Sequence, residues 1–237
     1  LIGAETLIRW QPPGEAMVPP DDFIPLAEET GLIVPIGLWV IDQACAHLRR
    51  WADNPEMRKL YLAVNVSARQ FRQADFVEQV AAALERHRVN PKLLKLELTE
   101  SLLLDNVDSV VNKMQALRAL GVRFSLDDFG TGYASLSYLK RFPFEQLKVD
   151  RSFIRDIATD PDDAAIVRAI IAMGNTLRLS VVAEGVEADE QHVFLVEHGC
   201  TSFQGYLFGR PMPFDEFEET LGDCSSEPVE PLDNWVI

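Results

Sequence analysis

Short apolar runs that each close on a polar residue alternate with helical stretches along this chain, and that alternation restricts the fold more than any other feature. Glu5 follows Gly3-Ala4, and Asn65 closes Tyr61-Leu62-Ala63-Val64. Glu97 follows Leu94-Lys95-Leu96, and Asp127-Asp128 follow Phe124-Ser125-Leu126. Lys148 and Asp150 end Gln146 to Asp150, Glu184 ends Val181-Val182-Ala183, and Gln204 comes after Ser202-Phe203. Strand-helix alternation predicts a parallel α/β fold. In a TIM-like (β/α)8 barrel the C-terminal strand ends share one face, so these polar residues would converge there.

The chain has 237 residues, close to barrel size, and 47% of them are hydrophobic, enough to fill a large core. The runs predict seven strands, one short of closure, with the first strand upstream of or missing from this chain. One domain over 1–222, N-terminally incomplete, is expected, with 223–237 as a C-terminal tail or linker rich in Ser, Pro and acid. Helices are expected from a cap at Asp21-Asp22, from Ile36 to Trp51, Phe76 to His87, Asn106 to Leu120, Pro161 to Leu177, Glu190 to Glu197 and Pro213 to Leu221. Trp39 and Trp51 are expected to pack helices together.

A formal charge of −15 argues against a DNA or RNA duplex partner and against an anionic membrane surface. No apolar run reaches the roughly 18 residues of a membrane span. Three cysteines, Cys45, Cys200 and Cys224, have neither disulfide nor zinc spacing, which fits a cytoplasmic location. The four histidines also lack ligand spacing.

Glu5, Glu97, Asp127, Asp128, Glu184 and Glu187 are candidates for one pocket, with Lys148 as the cation from the strand ends. Two carboxylates about 4 Å apart repel by ~1 kcal/mol in water and ~4 kcal/mol at an effective dielectric of 20. Such a cluster takes up protons or binds cations. Oxygen donors plus the Asn65 amide suit Mg²⁺ or Mn²⁺. Adjacent Asp127 and Asp128 could serve two ions, the arrangement that supports in-line water attack on a phosphodiester. Singly, each of these residues reads as a helix cap, turn or surface group; jointly, they read as a site.

These residues resemble the bacterial EAL-domain phosphodiesterases, which hydrolyse cyclic di-GMP. The motifs are Glu5-Thr6-Leu7-Ile8-Arg9-Trp10, Phe23-Ile24-Pro25-Leu26-Ala27-Glu28, Val64-Asn65-Val66-Ser67, Glu97-Leu98-Thr99-Glu100, Asp127-Asp128-Phe129-Gly130-Thr131-Gly132, Leu147-Lys148-Val149-Asp150, Ala183-Glu184-Gly185-Val186-Glu187 and Gln204-Gly205-Tyr206. The resemblance implies a barrel variant with one antiparallel strand and hydrolysis to linear 5′-pGpG. It implies that Glu5, Asn65, Glu97 and Asp127 hold one ion, and that Asp127, Asp128 and Glu184 surround a second. Catalytic roles fall to Lys148, Glu187 and Glu184, and substrate contacts to Leu7, Arg9 and Gln204. Glu187 and Gln204 would also orient waters, and Glu100 would anchor the loop after Asp128. Two Mg²⁺ or Mn²⁺ ions per site, inhibition by Ca²⁺, a homodimer, and upstream sensor or cyclase domains in a larger, membrane-attached parent protein complete the expectation.

Thr6 replaces the family's alanine, and the strand with a Tyr-Gln-Pro-like sequence that precedes the motif is absent. Two other readings compete: a silent cyclic di-GMP receptor, and an enzyme for another cyclic dinucleotide or a linear phosphodiester.

Overall fold

In the computed structural model, residues 1–104, 106–130, 139–223 and 234–236 are described. The strands are β1 (Gly3–Thr6), β2 (Tyr61–Asn65), β3 (Leu94–Thr99), β4 (Arg123–Phe129), β5 (Gln146–Val149), β6 (Ser180–Ala183), β7 (Ser202–Gln204) and β8 (Asn234–Val236). The helices are α1 (Pro20–Thr30), α2 (Ile33–Trp51), α3 (Ala68–Phe71), α4 (Phe76–His87), α5 (Val107–Leu120), α6 (Arg151–Arg155), α7 (Pro161–Leu177), α8 (Asp189–Glu197) and α9 (Phe214–Asp223).

The strands pair in chain order into a closed barrel. Alternation along each strand sends Leu62, Val64, Leu94, Leu96, Phe124, Leu147 and Phe203 outward into the main core beneath the helices. Tyr61, Ala63 and Val236 form a separate small cluster. Lys95, Glu97, Ser125, Gln146, Lys148 and Ser202 are buried polar residues of the same strands. The barrel therefore has an apolar outer layer and a largely polar interior.

One expectation is corrected here. Every strand pair is parallel among the described residues, including β1 with β8, so the antiparallel strand implied by the resemblance is not found. In addition, Asn234–Val236, from the stretch expected to be a tail, pairs with β7 and meets β1 through Gly3 and Val236. The Ser, Pro and acidic residues that precede these three are why the stretch reads as a tail in sequence.

Helix positions agree with the periodicity to within a few residues, apart from their caps. Asp21 and Asp22 lie in the first turn of α1, where Pro19 stands at the cap position and makes no side-chain bond. Their carboxylates there favour the positive end of the helix dipole. Asp150 caps α6 by accepting from the Ser152 N–H at 3.0 Å. Trp51 is buried and stacks on Phe214 with ring centroids 5.3 Å apart. Trp39 is 57% exposed and lines a cavity, contrary to the packing role expected for it. Cys45 and Cys200 are buried, and Cys224 lies outside the described residues. Among the described residues, no single helix is long and apolar enough to cross a membrane.

Candidate active site

Register brings the strand ends to one level. Asn65 pairs with Glu97, Thr99 with Asp127, and Lys148 with Val182. Lys148 lies at the centre. Its ammonium is 3.1 Å from Glu5 Oε2, 2.9 Å from Glu97 Oε2, 3.4 Å from Asp127 Oδ1 and 2.6 Å from Glu184 Oε1. Glu5 also accepts hydrogen bonds from Asn65 Nδ2 at 2.5 Å and Gln204 Nε2 at 2.8 Å. Residues separated by as many as 199 positions are thus joined at one carboxylate.

Regular strand geometry would turn Asp127 and Asp128 to opposite faces. The β4–β5 register shifts between Leu126 and Phe129, and Asp128 has a φ of 53°. Aspartate tolerates this left-handed conformation better than most residues, and irregularities of this kind re-aim side chains. As a result, carboxylate oxygens of Asp127, Asp128 and Glu184 all lie within 4.8 Å of one another.

Burial dominates the electrostatics, because it penalises every charge. Burial raises the Glu97 carboxyl well above its usual range; Lys148 opposes the rise, while Glu5, Asp127 and Glu184 add to it. Burial likewise raises Asp127, against the pull of Lys148. Glu184 rises to about 8 through burial, opposed by Lys148 and reinforced by Asp127 and Glu5. Asp128 rises to about 6 through burial, the charges of Asp127 and Asp150, and a hydrogen bond with Asp150. Burial would raise Glu5 too, but Lys148 and the bonds from Gln204 and Asn65 bring it below its normal value. Burial also disfavours the Lys148 ammonium, yet Glu5, Glu97, Glu184 and Asp127 hold it charged.

The donors fit a hard divalent cation. Asp127 Oδ1 and Gln204 Oε1 are buried and accept no hydrogen bond of good geometry among the described residues. The Asp127, Asp128 and Glu184 oxygens form a compact hard-oxygen set.

The remaining expected residues occupy the surroundings. Leu7 and Arg9 are exposed at the lip and line both neighbouring cavities. The larger, about 580 Å³, also meets Glu5, Gln204, Tyr206 and Trp39, and the smaller, about 420 Å³, meets Asn65, Glu97, Glu28 and Gln70. Glu100 is buried and its Oε1 accepts from the Gly130 N–H at 2.9 Å. Thr131 and Gly132 lie outside the described residues. Glu187 is exposed, with its backbone N–H held by Gln191 Oε1 at 2.7 Å. Asp150 emerges as a contact of Asp128. Its place at a strand end was the available sequence signal, and its partner was not legible.

Residues 1–211 match the family model described as the EAL domain. The chain is similar to the bifunctional diguanylate cyclase/cyclic di-GMP phosphodiesterase MucR of Pseudomonas aeruginosa, with 51% identity over 216 residues, 91% of this chain and 31% of that protein. It is also similar to cyclic di-GMP phosphodiesterase PdeR of Escherichia coli, with 42% identity over 214 residues, 90% of this chain and 32% of that protein. The chain spans about a third of the length of these curated relatives. The solved structure of the PaMucR phosphodiesterase in complex with c-di-GMP has 51% identity and a TM-score of 0.88, covering 92% of this chain and 87% of that one. On the family match, the relatives and the shared barrel together, this chain belongs to the EAL domain family.

Proposed function

We propose that this domain hydrolyses cyclic di-GMP to linear 5′-pGpG. The observation that carries the reading is the clustering of Glu5, Glu97, Asp127 and Glu184 around Lys148, with Asp128 beside them. The names of the relatives support the substrate.

Glu5, Asn65, Glu97 and Asp127 would hold one Mg²⁺ or Mn²⁺, and Asp127, Asp128 and Glu184 a second. When bound, two such ions supply an acidified water and offset charge on the entering and leaving oxygens. Arg9 offers a guanidinium suited to a phosphate oxygen, and Leu7 an apolar contact beside it. Lys148 keeps its proton and places positive charge next to the reacting phosphate or its water. Gln204 orients Glu5 through the bond it donates, and Glu187 stands at the rim to order waters. Glu100 secures the start of the loop after Asp128 through Gly130. Ca²⁺ would fill the site without supporting turnover. We assign residues 1–222, joined at the barrel by β8, to the phosphodiesterase unit, a homodimer in the cytoplasm, regulated by sensor or cyclase domains elsewhere in a longer protein.

The test is incubation with cyclic di-GMP and Mg²⁺ or Mn²⁺, with and without chelator, followed by chromatography of the nucleotides. Metal-dependent 5′-pGpG is the expected product. Tight binding with intact substrate in every condition would replace this reading with that of a receptor.

A further inference from the structure

The segment Gly185–Ala188 follows Glu184 directly and has no regular secondary structure, yet it is fastened on three sides. Gly185 has a φ of 68°, and a Cβ there would come within 2.7 Å of Arg151 Cβ, so only glycine fits at this turn. On a second side, the Val186 N–H donates to Gln204 O and the Leu207 N–H donates to Val186 O, both at 3.0 Å. A Cβ on Gly205 would lie 2.2 Å from Val186 O, so the two backbones are in direct contact.

Gln191 forms the third side and is 8% exposed. Its Oε1 accepts from the N–H groups of Glu187, at 2.7 Å, and Ala188, at 3.0 Å. Its Nε2 donates to Arg155 O at 3.1 Å. The first two bonds cap α8. The third does nothing for α8: it reaches the last residue of α6, the helix whose first turn is capped by Asp150, the partner of Asp128.

We propose that Gln191 is a positioning residue for the acidic centre, holding the β6 loop against α6 so that Glu184 and Asp128 keep their mutual spacing. The same loop bonds to Gln204, whose amide orients Glu5, so one buried amide steadies both halves of the centre. The proposal rests on the metal-site reading above. It goes beyond that reading by naming a residue that touches neither metal nor nucleotide. Groups that orient ligands in this indirect way typically change metal affinity by 10- to 100-fold when removed.

The experiment is a Mn²⁺ titration of the nucleotide-free chain, following the free-ion EPR signal, with thermal unfolding measured alongside. Gln191→Leu is expected to weaken Mn²⁺ binding by roughly 10- to 100-fold. Gln191→Glu keeps both acceptor bonds and loses only the donor to Arg155 O, so it should fold and still weaken Mn²⁺ binding. Asp160→Ala is the control. Asp160 caps α7 through the Asp162 and Asp163 N–H groups, and its removal should lower the unfolding temperature with Mn²⁺ affinity unchanged. Unchanged Mn²⁺ affinity in Gln191→Glu, or an equal loss in Asp160→Ala, overturns the positioning role. Wild-type chain that binds no Mn²⁺ overturns the metal-site reading and the proposal with it, a result distinct from the first two.

Discussion

Lys148 Nζ lies 2.9 Å from Glu97 Oε2, and both side chains are only 2% exposed. Neither charge could be buried alone without a penalty of several kcal/mol, and removing one partner strands the other. Lys148→Met should therefore lower the stability of the metal-free protein by roughly 3–5 kcal/mol at neutral pH. The loss should shrink as pH falls and the stranded carboxyls take up protons. Urea unfolding in chelator at pH 7 and pH 5 measures both effects. A midpoint that does not move at pH 7 contradicts the role of the ammonium as counter-charge.

Metal affinity should rise with pH. Asp128 titrates at about 6 and Glu184 at about 8 in the metal-free site, both raised chiefly by burial. Below these values the carboxyls hold protons that a cation must displace, and above them the ligands are already charged. Mn²⁺ titrations at pH 6 and pH 8 should differ by roughly tenfold or more, tighter at pH 8. Equal affinity at the two values would show that both carboxyls are already ionised at pH 6.

Lys95 tests the barrel interior. It is buried, donates to Gln146 Oε1 at 2.8 Å and stands 3.5 Å above the Tyr61 ring. Burial, then the charge of Arg123, lowers it to about 7 from 10.5. Between those values the unfolded chain binds the extra proton, so stability climbs as pH rises through this window and is lost again as pH falls toward 7. The Tyr61 face offsets part of the cost of the charge at lower pH. Lys95→Met should remove that climb, which is on the order of a few kcal/mol. Denaturant midpoints of both proteins between pH 6 and 10 provide the comparison, and parallel curves refute it.

Arg9 is exposed, so its loss should leave folding intact. A charge-assisted bond contributes about 1.5–3 kcal/mol. Arg9→Ala should then raise KM for cyclic di-GMP by roughly 10- to 100-fold with little change in unfolding temperature. Steady-state kinetics with a parallel melt decides this. An unchanged KM removes Arg9 from the phosphate contact.

The strands that carry the site were legible because each is a short run, mostly apolar, that closes on a ligand-type residue, as Tyr61 to Asn65 does. The longer helices were legible from their apolar period, with errors at ends such as α1, where Asp21 lies two positions past the cap residue Pro19; the short α3 and α6 were not expected. β8 was not legible, since its three residues mean something only between Gln204 and Gly3.

Residue types and spacing by themselves determined the barrel class, the polar residue at each strand end, and the hard-oxygen character of the site. They did so because strand period and donor chemistry are local properties. Only the tertiary structure decided that Lys148 would contact four carboxylates, that a register shift at β4 would turn adjacent aspartates toward one centre, and that Gln191 would bridge α8 to α6. Those outcomes depend on register, burial and distance between segments far apart in the chain, which local pattern does not encode.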